Sequence, residues 1–77
     1  MSEREHLLDV SDLPPPEPLE RVLDALADLP AGDRLVVRLP ADPVLLYPML
    51  HSMGMIWERH ERDNATVELV IREAPAR

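Results

Sequence analysis

Leu13-Pro14-Pro15-Pro16-Glu17-Pro18-Leu19 stands directly between a strand-like run and an amphipathic stretch. Proline lacks a backbone N–H and has a fixed φ, so it suits an extended approach and the first helical turn. The segment reads as a rigid strand-to-helix junction whose helix start leaves backbone N–H groups facing outward. Upstream, His6-Leu7-Leu8-Asp9-Val10-Ser11 has the alternation of a short strand. Downstream, residues 19, 22, 23, 26 and 29 are apolar, which is helical spacing with one apolar stripe, so a helix is expected over Pro18–Leu29. Glu17 and Glu20 place negative charge in its first turn, where the helix dipole favours it. Pro30 and Gly32 stop it.

Working outward, Arg34–Leu39 is a second strand, with Leu35, Val37 and Leu39 on one face and Arg34, Val36 and Arg38 on the other. Pro40-Ala41-Asp42-Pro43 forms another junction; Asp42 suits an N-cap and Pro43 the first position of a second helix, running to about Met53 with Gly54 as its stop. Leu46, Leu50 and Met53 share its inner face. Met55–Arg62 and Ala65–Arg72 read as a hairpin turning at Asp63-Asn64. The element order is β-α-β-α-β-β. Two helices cover only one face of a four-stranded sheet, so the expected architecture is a two-layer α/β (α+β) sandwich with a mixed sheet. The first two strands, joined through a helix, should be parallel. The other sheet face stays open, carrying Leu7, Asp9, Arg34, Val36, Arg38, Ile56, Glu58, His60, Glu68, Val70 and Arg72.

Seventy-seven residues suggest one domain over 1–77 with an ordered core of about 6–73. A chain this short buries only ~60% of its unfolded surface, so the core is thin. Apolar residues at 45% and charged ones at 30% suit a globular chain. Trp57 and Tyr47 are its only aromatics. The absence of Cys excludes disulfides, thiolate metal sites and a thiol nucleophile. A net charge of −7 with no basic block argues against nucleic acid as a partner. The N-terminus lacks the pattern of a secretory signal, and no apolar run approaches the ~18 residues of a membrane span, so a cytoplasmic protein without a membrane partner is expected.

The element order, with Leu8-Asp9-Val10, Leu13 and Pro15-Pro16-Glu17-Pro18 before the first helix, resembles the TusA-like (SirA-like) sulfur-carrier superfamily, whose motif at this junction is Cys-Pro-x-Pro. Leu29–Asp33 and the following strand resemble its usual loop and second strand, and Gly54 the Gly that opens its third. The likeness covers nearly the whole chain. Two positions depart from it: Pro15 stands where the family has its sulfur-carrying Cys, and Asp12 where it has Gly. Proline cannot carry a persulfide, so the resemblance implies the scaffold without sulfur transfer. The Leu13-Pro14-Pro15-Pro16-Glu17 opening and the Asp42-Pro43-x-Leu45-Leu46-Tyr47-Pro48 segment resemble a Cys-less branch of uncharacterised bacterial domains. Some members of that branch have His-Asp-Pro at the second helix start and some are attached to hemerythrin-like domains; here that His position is Ala41.

Candidate sites are few. The junction Pro15, Pro16, Glu17, Pro18 offers N–H groups to an anion, but Asp12 and Glu17 oppose one, and a structural cap is the simpler reading. His6, His51 and His60 lie on three elements without metal-ligand spacing, so no metal is expected. Met49, Met53 and Met55 with Tyr47 and Trp57 read as core filler before a cofactor contact. Leu7, Val36, Ile56 and Val70, flanked by Arg38, form an apolar stripe on the open sheet face that suits a protein partner or a homodimer. No nucleophile–base pair and no Gly-rich phosphate loop is present, so no enzyme and no cofactor are expected. The leading functional expectation is a non-catalytic interaction or adaptor domain. The alternative is a small-ligand or redox-cofactor accessory domain built around Tyr47, His51 and Trp57.

Overall fold

A computed structural model describes residues 4–75. Strand β1 (Glu5–Asp9) leads to helix α1 (Glu17–Ala27), strand β2 (Arg34–Leu39), helix α2 (Leu46–Ser52), strand β3 (Met55–Glu61), a single 3-10 turn (Asp63–Ala65) and strand β4 (Val67–Glu73). The sheet order is β1-β2-β4-β3. β1 and β2 are parallel, as their helical connection requires, while β4 is antiparallel to both of its neighbours.

Alternation in β2 and β4 sends Leu35, Val37 and Leu39, with Val67, Leu69 and Ile71, to one face, where all are buried. Val22 and Leu26 of α1 and Leu46 and Leu50 of α2 complete that core. Both helices therefore lie on the same face, and the expected two-layer sandwich is the observed one. Leu8, Leu19, Leu23, Tyr47, Met55 and Trp57 pack around its edge. No described helix is long and apolar enough to cross a membrane.

The local differences have local causes. β1 ends at Asp9, not Ser11, because Asp9 Oδ1 accepts hydrogen bonds from the Ser11 N–H (3.0 Å) and hydroxyl (2.6 Å), which turns the chain. The proline junction is not extended throughout. Pro15 and Pro16 occupy a turn, their peptide bond is cis, and Glu17 N–H donates to the Pro14 carbonyl at 3.0 Å. α1 closes two residues early, where Asp28 and Leu29 donate to carbonyls three residues back. Asp42 is not the cap of α2. The Val44 N–H bonds to the Asp42 carbonyl and the Leu46 N–H to the Pro43 carbonyl, so a turn intervenes and α2 begins at Leu46.

The hairpin link is also longer than the expected two residues. Arg62 N–H donates to the Thr66 carbonyl at 2.8 Å across the 3-10 turn, and Ala65 adopts a φ of 66°. Met53 is 43% exposed and does not share the core with Leu50. Met49 is likewise exposed, and the two line a cleft between the helices with Leu23 and Pro48. Of the three methionines expected as filler, only Met55 packs on the core.

Candidate functional site

Because β1 and β2 are parallel neighbours, their C-terminal ends finish side by side, and the proline-rich loops that follow them meet. Between these loops lies an apolar groove of about 340 Å³. One wall is Pro15, Pro16, Pro18 and Leu19, at the start of α1; the other is the Leu39–Leu46 connection. Val44 and Leu45 stand at its rim, 66% and 75% exposed. Leaving two large aliphatic side chains in water forgoes their burial, worth ~1.5–3 kcal/mol each when complete. They are accordingly the least expected surface residues of the connection.

The groove is not an anion cradle. Glu17 N–H is taken by Pro14, Glu20 N–H by Pro16, and Pro18 has none, so three of the first four helical positions offer no donor. The only ionisable group in the lining is Asp42. Its Oδ1 accepts a short hydrogen bond from the Tyr47 hydroxyl and another from Arg59 Nε at 3.2 Å. These bonds, Tyr47 first, hold the Asp42 carboxyl below its ordinary range. Burial pushes the Tyr47 phenol up to about 12, with the Asp42 carboxylate adding to the shift. Arg59 also donates to Glu61 at 3.0 Å. Tyr47 stacks on Trp57, centroids 5.5 Å apart and planes 15° from parallel. This chain of contacts ties the groove's outer wall to β3 and fixes where Val44 and Leu45 stand.

Of the residues expected to hold a small ligand, Tyr47 and Trp57 are thus brought together, but as packed structure, with the Tyr47 hydroxyl donated to Asp42 and its ring stacked on Trp57. His51 lies one helical turn beyond Tyr47 and is exposed. The other histidines are apart from it: His6 Nε2 lies 2.8 Å from Asp33 Oδ2, and His60 Nε2 3.4 Å from Glu58 Oε1. Asp33 is buried and also accepts the Arg4 N–H, so it anchors the start of β1. The His6 bond, the largest cause, keeps the Asp33 carboxyl below its usual range. Among the described residues no group of three or more His, Asp or Glu side chains is gathered in metal-binding geometry.

The open sheet face is formed as its strands' alternation requires. Register sets Leu7, Val36, Val70 and Glu58 in one row across the sheet, and Asp9, Arg38, Glu68 and His60 in the next. Ile56 pairs with Arg72 beyond them. Leu7, on the edge strand, is 78% exposed, while Val36, Ile56 and Val70 are partly covered by their neighbours. A hollow of about 280 Å³ separates Leu7 and Val36 from Arg38 and Glu68.

The groove was only half visible in the sequence. The prolines of its inner wall stand out; Val44 and Leu45 do not, because the Asp42-Pro43 pattern predicts them in the first turn of α2. Two proline-bearing loops following parallel neighbouring strands were the available signal. Arg59 and Asp33 gave none, since their partners lie 17 and 27 residues away.

A comparison with curated proteins and with solved structures finds no match to this chain. A family model described as an uncharacterised conserved protein, DUF2249, matches residues 7–73. That span runs from the middle of β1 to the end of β4 and includes both walls of the groove. The chain belongs to the DUF2249 family.

Proposed function

We propose that this chain is a non-catalytic interaction domain that docks a protein partner through the junction groove. The observation that carries the reading is the groove's chemistry. It is built at the sheet end where the two parallel strands finish, yet its lining holds only Pro, Leu, Ala and Val beside Asp42, and Asp42 is already engaged by Tyr47 and Arg59. There is no nucleophile or free base in it. What it offers is apolar contact, with Val44 and Leu45 placed to be covered.

The resemblance to TusA-like sulfur carriers supports the same reading. Pro15 occupies the position of their persulfide-bearing Cys, and its ring forms part of the apolar wall. On this reading the scaffold is kept, and the place that presented a thiol now presents a surface. A chain of net charge −7 suits neither nucleic acid nor an anionic membrane as the occupant.

A second reading, a small-ligand accessory domain, draws on the groove's size. Its 340 Å³ falls at the lower end of the ~300–1,000 Å³ typical of ligand pockets.

Photocrosslinking separates the two. A photoreactive side chain at position 45, in the protein's native host, is expected to give one or a few protein adducts of defined mass. The Val44→Asp substitution should remove them, and the same probe at Asp28, at the far end of α1, should not produce them. No adducts, or the same adducts from both positions, would overturn the proposal. A small molecule retained by the purified protein and lost on Val44→Asp would favour the second reading.

A further inference from the structure

The charge of this chain is unevenly distributed in a way that singles out one surface. The open sheet face carries four carboxylates, Glu5, Asp9, Glu58 and Glu68, and four arginines, Arg34, Arg38, Arg72 and Arg62, the last held against Glu68 at 2.7 Å. It is neutral. The net charge of −7 therefore resides entirely on the rest of the chain. The net negative charge outside this face opposes self-association there, while this face adds none and carries the stripe of Leu7, Val36 and Val70.

We propose that the open sheet face is the interface of a twofold homodimer, a surface separate from the junction groove. The register fixes the orientation. A twofold axis parallel to the strands, passing between β2 and β4, lays β2 of one copy over β4 of the other and β1 over β3. Val36 then meets Val70 of the second copy. In the next row Arg38 meets Glu68 and Asp9 meets His60, so opposite charges or an acceptor and a possible donor face each other along the whole row.

A twofold axis across the strands, through the Val36 row, pairs Glu68 with Arg72 but sets Arg38 against Arg34, Asp9 against Glu5 and Glu58 against its own copy, so like charges outnumber opposite ones. The strand-parallel arrangement sets Leu7 against Glu58 and Glu5 against Ile56, and it has one like-charge pair, Arg34 against Arg72. It falls at the end of the face, where Glu5 lies 3.5 Å from Arg34. Four strands ~4.8 Å apart, of up to seven residues at ~3.3 Å each, present a face of roughly 19 by 23 Å. Because β1 has five residues and β2 six, two such faces cover about 800 Å² as flat areas, and side-chain relief has to bring this above the ~1,000 Å² that a specific interface must clear.

The test uses charge reversal at Arg38, which is exposed, and at Glu68, which is half-buried and lies 3.9 Å from Arg38 and 2.7 Å from Arg62 of its own chain; circular dichroism and a thermal melt check that each variant is folded before its association is read. Arg38→Glu sets two Glu–Glu contacts in the dimer, and Glu68→Arg sets two Arg–Arg contacts. Sedimentation equilibrium should show a dimer for the unaltered chain and a dissociation constant raised at least about tenfold for each variant alone. An equimolar mixture of the two variants restores both pairs and should recover a heterodimer. Val70→Asp should give a monomer. An unaltered chain that stays monomeric at ~100 μM, variants that dimerise as well as it does, or a mixture no tighter than its components would each overturn the proposal.

Discussion

Asp42 serves two donors at once, and that single carboxylate explains much about its loop. It takes the Tyr47 hydroxyl and Arg59 Nε, so the Pro40–Leu45 connection is fastened to β3 at a point where the chain has no strand pairing to hold it. The Tyr47 phenol should therefore titrate near 12 in the folded protein, against ~10 in an unfolded chain. The sign follows: with the folded pKa raised, the contribution to stability is complete below pH ~10 and is lost as pH rises toward 12. Absorbance of the phenolate followed against pH should show this delay, and Asp42→Asn should shorten it. A Tyr47 that ionises at its ordinary pH would mean that the wall of the groove is not fastened in this way. Neither contact was legible in the sequence, where Asp42 looked like a helix cap; the chain spacing to Arg59 carries no pattern that marks the pair.

The secondary elements were legible to different degrees, for physical reasons. β2 and β4 are central strands, and their strict alternation follows from having one buried face; their inward residues, Leu35, Val37, Leu39, Val67, Leu69 and Ile71, are those the pattern indicates. α2 starts later than its pattern indicates but ends where expected, before Gly54; only the burial of Met53 differs there. At its start a turn spends Asp42 and Pro43, and near its end Met53 lies at a C-cap position where helical spacing no longer applies. The β3–β4 link shows the limit of turn signals. Asp63-Asn64 marked the right place, but the residue with positive φ is Ala65. An Ala in the left-handed region costs ~1–2 kcal/mol. Glycine there removes that cost and adds ~0.4–1 kcal/mol of unfolded-chain entropy. Ala65→Gly should thus stabilise the protein by about 0.5–1 kcal/mol in urea unfolding, with the m value unchanged. A destabilising Ala65→Gly would show that Ala65 is not held in this conformation.

Across the fold, burial and charge are segregated. Apolar groups fill the space between helices and sheet, net negative charge covers the helical side and the loops, and the outer sheet face is neutral. Three aspartates at separate corners, Asp9, Asp33 and Asp42, are held below the ordinary carboxylate range by hydrogen bonds from Ser11, His6 and Tyr47. A depressed pKa in the folded state gives stability that is complete above the unfolded value of ~3.9 and is lost as pH falls through the folded value. The midpoint of thermal unfolding should therefore be nearly level from pH 7 to 5 and drop below about pH 4. A midpoint that rises through that range would show that relief of negative repulsion outweighs these bonds.

The chain acts, on this account, by presenting surfaces and not by holding a reactive group. Native mass spectrometry of freshly purified, untagged protein asks this in one experiment. The expected result is twice the mass of the bare chain, with nothing added. A bare monomer would contradict the sheet-face dimer, and a reproducible extra mass, metal or organic, would contradict the reading of a domain that acts by surface contact alone and turn attention to Tyr47, His51 and Trp57.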